Sequence, residues 1–313
     1  MSRAFFTIGL LGVVLFTSAA ASGYCRTTTC DPTDPKQACK RDKTTKCLIT
    51  GTPLYWASDC LSISVQADGA ASVGIDYAAA EASVRRAFNA WTTVDCKGAS
   101  PSLHVNVSGP VACDVSEYSK DHKNANIVMF RENDWPYVGA EDALGLTRVR
   151  FDLDGEPGAL WDADIEINAV TEPLSIGLPQ SNEVDLDSLL AHEAGHVLGL
   201  GHTLDVFATM VGGYETGTSE LASPAADDIA GICEIYPPGR KPSSTSCEPR
   251  HGFSELCGDE QPLDALNPDA EGDGAEDSKG CSFALSGKGS QAPFFWSLAL
   301  GVCLAWRLRQ RRP

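Results

Sequence analysis

The stretch HEAGHVLGLGH, residues 192–202, holds three of the six histidines in the chain. On an α-helix, residues four apart stack one turn above another, so His192 and His196 project from the same side with β-carbons about 5–6 Å apart. Two imidazoles at that spacing can chelate one tetrahedral zinc ion. Glu193 lies about 100° round the helix, within reach of a metal-bound water without being a ligand itself. Leu186, Leu189, Leu190, Val197 and Leu198 supply the apolar faces of a helix from about Asp185 to Gly199. Gly199 lets the chain leave that helix with positive φ, and the turn returns His202 as a third ligand. Three ligands leave the fourth position open, which separates a catalytic zinc site from a closed structural one. Gly195 inside the helix costs about 1 kcal/mol relative to alanine, which predicts a close approach by another segment there.

Periodicity supplies further elements. Leu61–Ala67 alternates apolar and polar residues and predicts a half-buried strand. Asp76 can cap a helix running to about Trp91, with Tyr77, Ala80, Val84, Ala87, Phe88 and Trp91 on one face. Leu103–Val107 alternates again, and Asn126–Phe130 is a short apolar run suited to an inner strand. Trp161–Val170 has a period of two, with Ala163, Ile165, Ile167 and Ala169 on one face and Asp162, Asp164, Glu166 and Asn168 on the other. Two readings of those acids stay open: a solvated sheet face, or a calcium site drawing on Asp152, Asp154 or Asp162.

The flanks have a different character. Arg3, the apolar run Ile8–Phe16 and Ala19-Ala20-Ala21 read as a secretory signal over residues 1–21. Ten of the twelve cysteines lie between Cys25 and Cys257, and in an exported chain they predict disulfides. Residues 22–53 form a Cys-rich N-terminal segment, and 238–280 an acidic linker rich in Pro, Ser and Gly in which Cys247 and Cys257 are expected to close a small loop. Residues 281–313 place Cys281, a short spacer, an apolar stretch from about Ala292 to Leu308 and a terminal arginine cluster in that order. The net charge of −18 argues against nucleic acid as a partner.

H-E-x-x-H-x-x-G-x-x-H is the zinc signature of the metzincins, and the chain resembles that family. The resemblance implies His192, His196 and His202 as ligands of one catalytic Zn²⁺, Glu193 as general base, and Met210, in FATM, as the Met-turn residue beneath the metal. Thr203 after the third histidine and the segment Asp227–Tyr236 are similar to the matrixins. There Asp227 and Asp228 would brace the Met-turn or bind a chain terminus, and Tyr214 would line the pocket that reads the residue after the scissile bond. DADIEIN, within Asp162–Asn168, resembles the edge strand along which substrate lies. The cysteine-switch motif is absent, and GGY stands where a Pro-x-Tyr wall is usual. The end of the chain resembles the MYXO-CTERM sorting tags of myxobacterial surface proteins, implying processing near Cys281 by a sorting enzyme.

The resemblance to bacterial matrixins implies an α+β, zincin-like fold over residues 54–237. Its twisted, mainly parallel sheet would carry an antiparallel edge strand and pack on an active-site helix and a second long helix. The expected activity is zinc-dependent hydrolysis of protein or peptide substrates, outside the cell or at its surface, with membrane contact through the C-terminal segment before processing. A surface-anchored binding protein on the same scaffold and a zinc hydrolase of cell-wall peptides are the alternatives.

Overall fold

The computed structural model describes residues 23–171 and 173–256, with the backbone of a strand at 282–286. The predicted signal, Cys257, Cys281 and the C-terminal apolar stretch lie outside the described residues. In chain order the elements are β1 (Cys25–Arg26), β2 (Cys60–Val65), α1 (Tyr77–Thr92), β3 (His104–Val107), β4 (Ile127–Arg131), β5 (Ala143–Phe151) and β6 (Leu160–Asn168). There follow β7 (Leu174–Ser175), β8 (Val184–Asp185), α2 (Leu186–Val197), β9 (Leu200–Gly201), α3 (Ala226–Ile235) and β10 (Ser282–Ser286).

The central sheet has the order β10-β5-β6-β4-β2-β3. The pairs β2·β3, β2·β4 and β4·β6 are parallel, and β5 turns antiparallel against β6. On one face lie α1 and α2. Asp76 caps α1 by accepting the Ala79 amide at 2.8 Å, and the stripe Ala80, Ser83, Val84, Ala87, Phe88, Trp91 is buried. The indole of Trp91 donates to the Ala191 carbonyl at 2.8 Å, tying α1 to the middle of α2. Such burial, more than helix propensity, stabilises a helix of this length.

Three expectations change. The segment Asp162–Asn168 is not the edge of the sheet: β6 lies between β4 and β5, and β5 is the antiparallel strand outside it. The outer side of β5 in turn pairs antiparallel with β10. Nor is the polar face of β6 solvated, since Asp162, Asp164, Glu166 and Asn168 are all fully buried. Alternation shows that a strand has two faces but not what covers them. Here polar chain does so: Ser116 donates to Asp164 at 3.0 Å, Arg131 to Glu166 at 2.5 Å, and Asn168 to the Ala143 carbonyl at 2.9 Å. The third change concerns Cys247, which bonds to Cys60 and not to Cys257. Residues 240–254 are accordingly held on the body of the fold, with Arg240 donating to the carbonyls of Trp56 and Ser58 at 3.0 and 2.7 Å.

The buried acids have a thermodynamic consequence. Both oxygens of Asp162 lack a hydrogen-bond partner, and burial beside Asp164 pushes its pKa well above the ordinary carboxylate range. Burial raises Asp164 as well, to about 7. Folded, the pair holds protons that the unfolded chain has already lost above the ordinary Asp value of about 3.9. Unfolding therefore releases protons, and this contribution to stability falls as pH rises through the folded-state values. Asp162→Asn should raise the melting temperature at pH 8 and leave it nearly unchanged at pH 4. A difference independent of pH would contradict this account.

Candidate metal centre

Helix α2 starts at Asp185, whose carboxylate accepts from the Ser188 amide at 2.9 Å and its hydroxyl at 2.7 Å. The helix is buried on nearly all sides, so His192, Glu193 and His196 all lie inside the protein. Beyond Leu198 the chain reverses at Gly199 with φ +94°, where a β-carbon would overlap the Leu54 carbonyl. Both the backbone angle and the close approach require glycine. Trp56 and Tyr236 brace the turn, donating to the carbonyls of Val197 at 2.8 Å and Leu198 at 3.1 Å.

The turn brings His202 to the helical pair. Its Nε2 lies 3.1 Å from Nε2 of His192 and 3.1 Å from Nε2 of His196. On the far sides of the rings, Nδ1 of His192 meets the Thr209 carbonyl at 2.7 Å and Nδ1 of His196 the Leu200 carbonyl at 2.9 Å. A carbonyl can only accept, so each Nδ1 carries the hydrogen and each Nε2 keeps its lone pair, the tautomer metal-binding imidazoles adopt. Burial lowers the pKa of all three rings, that of His196 to about 4. Three neutral nitrogens converging on one point form a donor set that fits zinc. Among the described residues this is the one cluster of three or more His, Cys, Asp or Glu donors close enough to share an ion. Asp152, Asp154 and Asp162 do not gather into a second. The Asp152 carboxylate accepts instead from the amides of Asp154, Gly155 and Glu156 at 2.8–2.9 Å.

Glu193 points toward β5. Its Oε2 accepts from the Thr147 hydroxyl at 2.6 Å, and its Oε1 is buried with no partner. Burial pushes its pKa up to about 8, against the Thr147 hydrogen bond. A β-carbon at Gly145 would stand 2.7 Å from Oε1, so glycine there leaves room for the carboxylate. Neither Gly145 nor Thr147 is singled out by the motif. The alternation from Thr147 to Phe151 was the available signal.

Met210 is buried, and a β-carbon on Gly195 would overlap its sulfur and stand 2.9 Å from Trp91. That is the close approach predicted for Gly195. Gly195→Ala should cost about 1–3 kcal/mol through overpacking, read from urea unfolding, with zinc affinity falling in parallel. Asp228 accepts from the amides of Thr209 at 2.7 Å, Met210 at 3.1 Å and Ala225 at 2.8 Å, tying the Met210 turn to the start of α3. Asp227 accepts the Gly23 amide at 2.7 Å. The Tyr214 side chain is buried, and its hydroxyl is taken by the Asp185 amide at 2.8 Å and the Thr218 carbonyl at 2.6 Å.

Three convergent imidazoles on a buried helix and its exit turn, with a buried methionine packed against the same helix, are consistent with zinc binding of the metzincin class. Residues 55–237 match the family model of peptidase M10, the matrixins. The match covers more than half of the chain, which belongs to that family. Metalloendoproteinase 1 of Glycine max is 28% identical over 167 residues, half of this chain and 45% of that protein. Matrix metalloproteinase-16 of Rattus norvegicus is 37% identical over 113 residues, a third of this chain and 18% of that protein. The chain thus spans less than half the length of these relatives.

Proposed function

We propose that the protein is an exported zinc endopeptidase. The convergence of three Nε2 atoms beside the unpartnered Oε1 of Glu193 carries the reading. His192, His196 and His202 would hold the ion, which supplies Lewis-acid activation of the scissile carbonyl and of the attacking water. Glu193 takes a proton from that water as its oxygen bonds to the carbonyl carbon. It then passes the proton to the amine nitrogen as the C–N bond breaks. Thr147 holds the carboxylate for both transfers. The outer side of β5 runs beside Glu193 and accepts an antiparallel strand, as its pairing with β10 illustrates. An extended substrate would take that place by main-chain hydrogen bonds.

The disulfides Cys25–Cys47, Cys30–Cys39, Cys60–Cys247 and Cys96–Cys233 among the described residues would suit an oxidising compartment. Signal cleavage after Ala21 would leave Ser22 as the first residue, one before Gly23, whose amide donates to Asp227. Processing near Cys281 would then separate the domain from its C-terminal apolar stretch. The test is cleavage of an unfolded protein by the exported chain. A zinc chelator should abolish turnover and added zinc restore it. Turnover that persists in chelator with no zinc bound would defeat the proposal.

A further inference from the structure

Among its described residues the acidic chain concentrates the opposite sign in an N-terminal segment. Lys36, Lys40, Arg41, Lys43 and Lys46 fall within eleven residues that contain a single acid, Asp42. The carboxylate of Asp42 is engaged locally, accepting from the amides of Thr44 and Thr45 at 2.8 Å each. Two disulfides, Cys25–Cys47 and Cys30–Cys39, staple the region. Backbone bonds from the Ile49 amide to the Lys40 carbonyl at 2.9 Å and from the Asp42 amide to the Cys47 carbonyl at 2.8 Å shape it into a hairpin.

This hairpin is fastened to the metal-binding turn. Strand β1 pairs antiparallel with β9, Cys25 opposite Gly201 and Arg26 opposite Leu200. The Thr27 amide donates to the Gly199 carbonyl at 3.0 Å. Arg26 and Arg41 line a small cleft together with Gly201 and His202. Arg26 spends its guanidinium on the carbonyls of Gly199 at 3.3 Å and Leu54 at 2.5 Å. Arg41 is exposed, donates through Nη1 to the Lys46 carbonyl at 2.9 Å, and pairs with no carboxylate among the described residues.

We propose that this hairpin is a cationic exosite that selects acidic polypeptides, with Arg41 engaging an Asp or Glu side chain of the substrate near the scissile bond. The proposal rests on the endopeptidase reading. A guanidinium with an open fork matches a carboxylate in two parallel hydrogen bonds. The chain as a whole carries a net charge of −18, so attraction confined to the cleft beside His202 would orient an acidic substrate as well as capture it.

Two experiments test this. A mixed peptide library is digested with the wild-type protein, Arg41→Ala and Arg41→Glu, after checking that zinc content and melting temperature agree. Wild type should enrich Asp and Glu at one fixed position near the cut, Arg41→Ala should lose the enrichment, and Arg41→Glu should turn it toward Lys and Arg. A profile indifferent to acids, or one shared by all three proteins, overturns the proposal. Separately, a fluorescent oligo-glutamate is titrated into zinc-loaded Glu193→Ala, with oligo-lysine as the control. Binding should weaken with salt and fall at least tenfold when Arg41→Glu is added. Absence of binding overturns the exosite, whereas Arg41-dependent binding without library cleavage supports it and overturns the endopeptidase reading.

Discussion

Glu193→Gln should bind zinc with unchanged stoichiometry and lose about 10²- to 10⁴-fold in kcat, with KM little altered. The substitution is close to isosteric, and its amide oxygen can still accept from the Thr147 hydroxyl, which lies 2.6 Å from Oε2 in the wild type. It cannot take a proton from water, so only the transition state should suffer. Metal analysis, single-turnover kinetics and melting curves on the same preparation separate this loss from damage to the site. A variant that keeps full turnover would remove Glu193 as the base. Thr147→Val makes the complementary case: the base remains but loses its holder, and the loss in kcat should be smaller.

Helix α2 could be read from residue types because its requirements are local. A cap at Asp185, histidines one turn apart and a glycine at the exit each impose their own geometry. Helix α1 was equally plain, since a 3.6-residue period records burial along one face. Strand β5 was not. Leu144, Gly145, Leu146 and Thr147 are all buried, and with cover on both faces there is little alternation to read. The acids of β6 mislead for a related reason. Their alternation is real, but polar partners cover them from distant parts of the chain: Ser116 over Asp164, Arg131 and Tyr137 over Glu166. The Cys60–Cys247 pairing joins residues 187 positions apart, beyond any local signal. The N-terminal hairpin combines both situations, because its cysteine content announced disulfides while its seat beside His202 depends on the β1–β9 pairing.

Asp228→Ala should destabilise the zinc-loaded protein by roughly 3–5 kcal/mol and weaken zinc binding with it. One carboxylate satisfies three amides, those of Thr209, Met210 and Ala225. Alanine would strand them in a region where Asp228, Thr209 and Met210 are buried, and each unmet donor costs about 1–3 kcal/mol. The effect reaches the metal through one residue: the Thr209 carbonyl holds Nδ1 of His192, so a loosened turn also loosens a ligand. Asp228→Asn keeps one acceptor oxygen and should recover part of the loss. Asp227→Asn, whose neighbour Asp228 alone carries the turn, should leave zinc affinity unchanged and affect only the seating of Gly23. Urea unfolding and competitive zinc titration of the three variants would distinguish a brace from a merely buried acid. Equal losses for Asp227 and Asp228 would refute the division of labour, because only Asp228 touches the amides of the Met210 turn.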